Sequence, residues 1–87
     1  MTQTPEQIAA GLTKAQRALV LASAPDDMTG EEGLGIEIRG AMYRTARSLE
    51  ELGLGSYTHG STYYDMYWNL PFGLAVRTIL ENRNDAG

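Results

Sequence analysis

The longest helical pattern of apolar and polar residues lies between about Ile36 and Leu52. Apolar side chains recur there at about 100° per residue, which is the spacing of one helix face. The stripe consists of Ile38, Met42, Thr45, Leu49 and Leu52. Gly53 follows it directly, as a glycine does where a helix ends in the left-handed conformation. The pattern therefore predicts a helix over residues 36–52 that buries one face.

Two shorter helices are predicted ahead of it, each by a capping box. Residues 4–7 pair a threonine with a glutamine three positions later, with proline in the first helical position, and Gly11 ends that helix. Residues 13–16 repeat the threonine–glutamine pair, and this second helix runs to about Ser23. Residues 29–32 are a third match, but two glycines follow within three residues. We expect one helical turn there at most.

After Gly53 the pattern changes from the helical period to that of strands. Residues 54–58 and 62–70 are rich in aromatic and β-branched side chains and flank residues 59–61, which predicts an antiparallel hairpin. Side-chain parity favours a three-residue loop at residues 58–60, with Gly60 in the left-handed conformation.

Alternation on the second strand divides its side chains between two faces. The face expected to meet the core carries Tyr64, Met66, Trp68 and Leu70. Trp68 is predicted to pin the hairpin to the helices. Tyr63 and Tyr67 share the opposite face with Asp65 and Asn69. Because exposed aromatic side chains are enriched at protein interfaces, Tyr63 and Tyr67 are candidate protein contacts. Cover by the N-terminal helix is the other interpretation.

A last helix is predicted to begin at Pro71 and to run to Arg83, with a polar tail at residues 84–87 that we expect to fray. A chain of 87 residues fits a single domain. The predicted fold is mainly α with a small β-hairpin, in the order α-α-α-β-β-α.

Composition and charge narrow the classes of function. Seven Lys+Arg against 11 Asp+Glu give a formal charge of -4, and the absence of cysteine excludes a disulfide scaffold and a thiolate zinc site. A single histidine excludes a multi-histidine metal site. Since no phosphate-binding glycine motif or acid–base pair is present either, we expect neither an enzyme nor a cofactor. No apolar run approaches the ~18 residues of a membrane span, so we expect a cytoplasmic protein without a membrane partner.

Three stretches, in this order, resemble the winged helix-turn-helix domains of MarR- and PadR-type regulators. Residues 12–19 are similar to the opening helix of these regulators, and residues 47–54 to the end of their recognition helix. Residues 68–76 are similar to the entry into the helix that follows the wing. The resemblance implies a winged-helix fold in which the long helix is the recognition helix and the hairpin is the wing.

The polar side of the predicted long helix carries a basic cluster. Arg39, Tyr43, Arg44 and Arg47 lie opposite the apolar stripe with no acidic residue between them. Arginine side chains bind guanine edges and phosphates. We therefore predict that these residues, with His59 at the hairpin tip, bind double-stranded DNA in a small transcriptional regulator of bacterial or phage type. A solvated helix face and a protein-contact surface are the alternative interpretations.

Oligomeric state follows from the same reasoning. A single small module with few cations binds DNA weakly, so we expect a homodimer. The predicted terminal helices, residues 4–10 and 71–83, offer the apolar surfaces for it.

A protein-binding function is the second class that the sequence leaves open. The helix predicted at residues 29–32 is broken by glycines, and the hairpin tip carries neither lysine nor arginine. Both features suit a winged-helix-like inhibitor or adaptor, for example a phage-encoded anti-CRISPR-type inhibitor of host defence. The acidic residues between 26 and 37 are expected to form a solvated turn. In a protein-binding function they would form a patch for a basic partner or mimic DNA phosphates.

Overall fold

The computed structural model of the protein describes residues 3–28 and 30–86. Over these residues the chain forms four helices and a three-stranded antiparallel sheet, so the fold is mixed α/β. The elements, in chain order, are α1 (Pro5–Gly11), α2 (Lys14–Ala22), β1 (Ile36–Ile38), α3 (Met42–Glu51), β2 (Gly55–Tyr57), β3 (Asp65–Asn69) and α4 (Pro71–Ala86).

Both predicted capping boxes are confirmed at the starts of α1 and α2. The Thr4 hydroxyl accepts a hydrogen bond from the Gln7 amide at 3.2 Å, and the Gln7 side chain accepts one from the Thr4 amide at 2.9 Å. Thr13 and Gln16 exchange the same pair of bonds at 3.1 and 2.8 Å. Each box satisfies two amides that a helix start leaves without partners, which is why these short helices begin where the sequence predicts.

The prediction of a single helix over residues 36–52 is wrong in its first part. Residues Ile36–Ile38 form β1, which pairs antiparallel with β3, Ile36 opposite Tyr67 and Ile38 opposite Asp65. Gly40 has a φ of +57°, a conformation that interrupts a right-handed helix, and α3 begins only at Met42. Ile36 and Ile38 are β-branched and occupy alternate positions, as is typical of a strand, although Ile38 also fits the helical spacing of the stripe.

The described residues of the segment between α2 and β1 form no helix, in agreement with the expectation of one helical turn at most. Within residues 23–28 and 30–35 the Gly30 amide donates a hydrogen bond to the Asp26 carbonyl at 2.7 Å. Thr29, the predicted cap, lies outside the described residues. The order of elements differs from the predicted α-α-α-β-β-α because β1 lies between α2 and α3. In the described part of the chain, α3 is the only helix between α2 and β2, so it lacks the preceding helix of a helix-turn-helix pair.

The sheet has the order β1-β3-β2. β2 and β3 form the predicted hairpin, with Gly55 opposite Asn69 and Tyr57 opposite Tyr67. Gly60 has a φ of +84°, which confirms its predicted left-handed conformation. The connection is longer than predicted, because residues 58–64 lie between the two strands.

The two faces of β3 are the reverse of the prediction. Tyr67 and Asn69 are fully buried, whereas Trp68 is half-buried and Tyr64 is exposed. Tyr67 is therefore not on an exposed face, and Trp68 is not the central core residue of the hairpin. The inward face holds polar atoms because they have partners: the Tyr67 hydroxyl donates to Asn69 Oδ1 at 2.7 Å, and Asn69 Nδ2 donates to the Val20 carbonyl at 2.8 Å.

The core draws on all four helices and on the sheet. Its buried apolar residues are Ile8, Ala9, Leu12, Leu19, Val20, Ile38, Ala46, Leu49, Leu54, Tyr67, Val76 and Leu80. α1 packs on α4, and α2 packs on both α4 and α3. The apolar faces of α1 and α4, predicted to lie at a dimer interface, are thus covered within one chain. The homodimer itself stays a prediction.

The last helix begins at Pro71, as predicted, and continues to Ala86 rather than ending at Arg83; Gly87 lies outside the described residues. None of the described helices is both long enough and apolar enough to cross a bilayer.

Candidate functional site: a polar cleft between α3 and the β2–β3 loop

A cleft of about 330 Å³ opens between α3 and the β2–β3 loop, residues 58–64. It is lined by Tyr43, Arg44, Arg47, Tyr57 and His59, and is called here the polar cleft. All of these except Tyr57 are residues that the sequence predicts to bind nucleic acid. The fold thus brings the basic helix and the hairpin loop to one surface, although they are separated along the chain.

α3 exposes its arginines because its opposite face is anchored in the core. Ala46 and Leu49 are fully buried, which turns Arg44 and Arg47 toward solvent. Residues three apart on a helix are neighbours on its surface, so the two guanidinium groups project from the same side. Among the described residues, ion pairs join Arg39 to Glu37 and Arg77 to Glu81, and neither Arg44 nor Arg47 has an acidic partner.

Arg39 is separate from the polar cleft. It follows β1 rather than lying on α3, and its guanidinium donates to the Glu37 carboxylate. The prediction that Arg39 lies with the other arginines on one helix face is wrong. Arg39 lies between strand β1 and Gly40, whose left-handed conformation interrupts a helix.

Asp65 joins the helix to the loop beneath the polar cleft. Its carboxylate accepts hydrogen bonds from the Tyr43 hydroxyl, from the Ser61 amide at 2.9 Å and from the Gly60 amide at 3.2 Å. The Tyr43 hydroxyl, followed by the backbone amides, lowers the pKa of Asp65, since these donors favour the charged carboxylate. The same hydrogen bond raises the pKa of Tyr43.

The alternation along the strand predicts an outward position for Asp65 and does not indicate this role. Asp65 is only 7% exposed, at the end of β3 next to the loop that it holds. A usable signal is present in the sequence: Asp65 is the only acidic residue between positions 54 and 70, and it follows by a few positions a glycine–serine pair whose amides need acceptors.

Aromatic rings form the inner wall of the polar cleft. The rings of Tyr43 and His59 meet edge-to-face, with their centroids 5.0 Å apart and an angle of 83° between their planes. Tyr57 is half-buried opposite Tyr67 in the hairpin. Since Arg44 and Arg47 are exposed, the cleft combines a cationic rim with an aromatic wall. Such a combination suits an anion that is attached to a flat ring.

The rest of the loop is aromatic rather than basic. Tyr63 is 90% exposed and Tyr64 is 54% exposed, and residues 58–64 contain neither lysine nor arginine. Of the two interpretations, Tyr63 has the exposure that a protein contact requires, while Tyr67 is buried and is not available to a partner.

A second concavity, of about 310 Å³, lies between α2 and the β1–α3 region. Its lining consists of Ala15, Ala18, Leu19, Ala22, Ile36, Ala41, Met42 and Thr45. Thr45 is the only one of these residues with a hydroxyl, amide or charged side chain. The polar cleft is therefore the better candidate site, because several charged and aromatic groups converge on it.

No protein-family model, no curated protein and no solved structure matches the chain. The chemistry of the polar cleft therefore has to be judged from the side chains that line it.

Proposed function

We propose that the protein binds double-stranded DNA through the polar cleft, as a small transcriptional regulator of bacterial or phage type. The observation that carries the proposal is the convergence of Arg44, Arg47 and His59 on one exposed surface. Neither arginine forms an ion pair with an acidic side chain in the part of the chain that the structure describes. Free guanidinium groups on a helix are suited to phosphates and to guanine edges.

The shape around the polar cleft supports the same function. α3 has ten residues, about 15 Å of helix, and Arg44 and Arg47 on its outward side are exposed. A helix of this kind fits the major groove of DNA, and a loop beside it can reach the backbone. We propose a reduced winged-helix arrangement in which α3 is the recognition helix and residues 58–64 are the wing.

The overall charge of -4 means that attraction to DNA must come from this local cluster rather than from the whole protein. Binding should then depend strongly on salt, because each phosphate contact releases condensed counterions. A second copy of the chain would double the number of contacts, which is why a homodimer is proposed for the DNA-bound state.

The experiment that tests this function is a binding titration of mixed duplex fragments at about 50 mM salt, where the electrostatic contribution is large. Arg47→Ala should weaken binding by ~1–3 kcal/mol. The matched control is Arg17→Ala, which removes the same charge from an exposed position on α2 outside the cleft, and it should have little effect. Wild-type protein that binds no duplex under these conditions would overturn the proposal.

One observation favours a second function, that of a protein-binding inhibitor or adaptor of the anti-CRISPR type. Tyr63 and Tyr64 are exposed on a loop without cations, and exposed tyrosines are typical of protein interfaces. If this function is correct, Tyr63→Ser would abolish inhibition of the target and Arg47→Ala would not. The reverse pattern would exclude it.

A further inference from the structure

We infer that the polar cleft accommodates one unpaired nucleotide, with its phosphate between Arg44 and Arg47 and its base against the rings of Tyr57 and His59. The inference rests on one premise of the proposed function, that nucleic acid is the ligand of this cleft. It adds that the protein reads an unstacked base, as found in a single strand or at an opened position of a duplex.

The first argument is the concave shape of the site. A helix that only follows the major groove needs a convex surface, whereas Arg44 and Arg47 border a space of about 330 Å³. This volume lies at the lower end of the range of about 300–1,000 Å³ for small-ligand sites. A paired base lies inside the duplex stack and cannot enter such a space, but an unpaired base can project into it.

The second argument is the composition of the wall. Sites for single-stranded nucleic acid combine cations that follow the backbone with aromatic rings on which bases stack. The polar cleft has both, with its arginines at the rim and Tyr57 and His59 on the loop side. Tyr57 is half-buried and packs against the core, so its ring is held in place before a base arrives.

The third argument is that the loop is held in position without a ligand. Asp65 binds the Gly60 and Ser61 amides and the Tyr43 hydroxyl, which fixes the residue next to His59 relative to α3. The carboxylate is already satisfied by these donors and is 7% exposed, so its charge is largely shielded from an incoming phosphate.

Three probes test the inference: a twelve-nucleotide thymidine strand, an abasic strand of the same length, and a relaxed, covalently closed circular duplex. The thymidine and abasic strands differ only in their bases. We expect the thymidine strand to bind roughly tenfold more tightly, which is the contribution of about one stacked base. Arg47→Ala should weaken the binding of both strands.

Three variants locate the base. Tyr57→Leu and His59→Ala should each reduce the difference between the thymidine and abasic strands, whereas Tyr57→Phe keeps the ring and should preserve it. If Tyr57→Leu is unfolded by circular dichroism, His59→Ala decides the matter, because His59 is exposed.

The possible outcomes separate this inference from the proposed function. Equal affinity of the wild type for the thymidine and abasic strands overturns the inference, and Arg47-dependent binding of the circular duplex then leaves duplex binding intact. A preference for thymidine that survives in both His59→Ala and Tyr57→Leu also overturns it, since the base would bind elsewhere. Binding of the thymidine strand without the duplex supports the inference and overturns duplex binding. Failure to bind any probe overturns both.

Discussion

The hydroxyl of Tyr43 on α3 donates a hydrogen bond to the carboxylate of Asp65 on β3, and this bond connects the basic helix to the hairpin. The same carboxylate holds the Gly60 and Ser61 amides of the loop. One side chain thereby sets the distance between the arginines of α3 and His59. Changes to this pair should alter the polar cleft while its cations stay in place.

Tyr43→Phe removes the hydroxyl group and keeps the ring that contacts His59. We expect the Gly60 and Ser61 amides to exchange faster with deuterated water, because Asp65 loses its connection to α3. Nucleic-acid affinity should fall as well, although both arginines remain. Tyr63→Phe is the control, since Tyr63 is 90% exposed. Unchanged exchange at Gly60 and Ser61 in Tyr43→Phe would show that the bond does not order the loop.

The lowered pKa of Asp65 predicts a pH dependence of stability. A carboxyl group whose pKa is lower in the folded than in the unfolded state stabilises the fold above its unfolded pKa of about 3.9. That contribution is lost as the pH falls through the folded pKa. Asp65→Asn should therefore flatten the curve of thermal midpoint against pH below about pH 4.

Asp27→Asn is the control for this pH experiment, because Asp27 is exposed and outside the network. It should leave the acid limb of the curve as in the wild type. An acid limb that is identical in Asp65→Asn and in the wild type would contradict the role of the Asp65 carboxylate.

Because the buried face of β3 carries Tyr67 rather than Trp68, we predict that Tyr67→Ala lowers the free energy of unfolding more than Trp68→Ala does. Tyr67 is fully buried and burial raises the pKa of its hydroxyl, which stays protonated and donates to Asn69. Tyr67→Ala should cost ~3–5 kcal/mol of the free energy of unfolding, in the range of buried aromatic residues. Trp68→Ala should cost less, because Trp68 is only half-buried. Urea titrations of the two variants measure these losses in the free energy of unfolding. A loss for Trp68→Ala that equals or exceeds the loss for Tyr67→Ala would contradict the prediction.

Gly73 is predicted to tolerate no side chain. A Cβ at this position in the first turn of α4 would overlap the Leu54 carbonyl oxygen and lie 2.9 Å from Asn69 Oδ1. Gly73→Ala should therefore destabilise the protein by ~1–3 kcal/mol, as overpacking does. Gly11→Ala, at the end of α1 with nothing within 4 Å of the added atom, should instead be neutral or stabilise by up to about 1 kcal/mol. Thermal unfolding of both variants measures the contrast.

Local signals predicted the parts of the fold that are determined locally. The capping boxes at Thr4 and Thr13 need only residues three positions apart. Gly53 and Gly60 have the left-handed conformation that their positions after a helix and in a hairpin loop require. These features do not depend on what the rest of the chain does, and the structure confirms them.

The predictions that are wrong concern residues whose structure depends on a distant segment of the chain. Residues 36–38 fit a helical stripe, but β3 offers them hydrogen-bond partners almost thirty positions later, and they form a strand. From the sequence alone, Asn69 is expected to face solvent. In the folded protein its side-chain amide donates a hydrogen bond to the Val20 carbonyl of α2. Neither partner can be identified from the spacing of apolar residues.

The candidate site shows the same division. Tyr43, Arg44 and Arg47 were predicted because they lie within one helix, and His59 because it lies at a hairpin tip. Arg39 was wrongly included for the same reason that β1 was missed. Tyr57 and Asp65 were not predicted as site residues, since their roles arise only when the hairpin packs beside α3.

The salt dependence of duplex binding tests the central claim, that the arginines of α3 neutralise DNA phosphates. The measurement is the slope of log affinity against log salt concentration for the wild type and for the double variant Arg44→Ala/Arg47→Ala. Each lost phosphate contact lowers the slope by about one unit, so we predict a decrease of at least about one unit. Stability should change by no more than about 0.5 kcal/mol per position, because both side chains are exposed. A folded double variant that binds with the wild-type slope would contradict the claim.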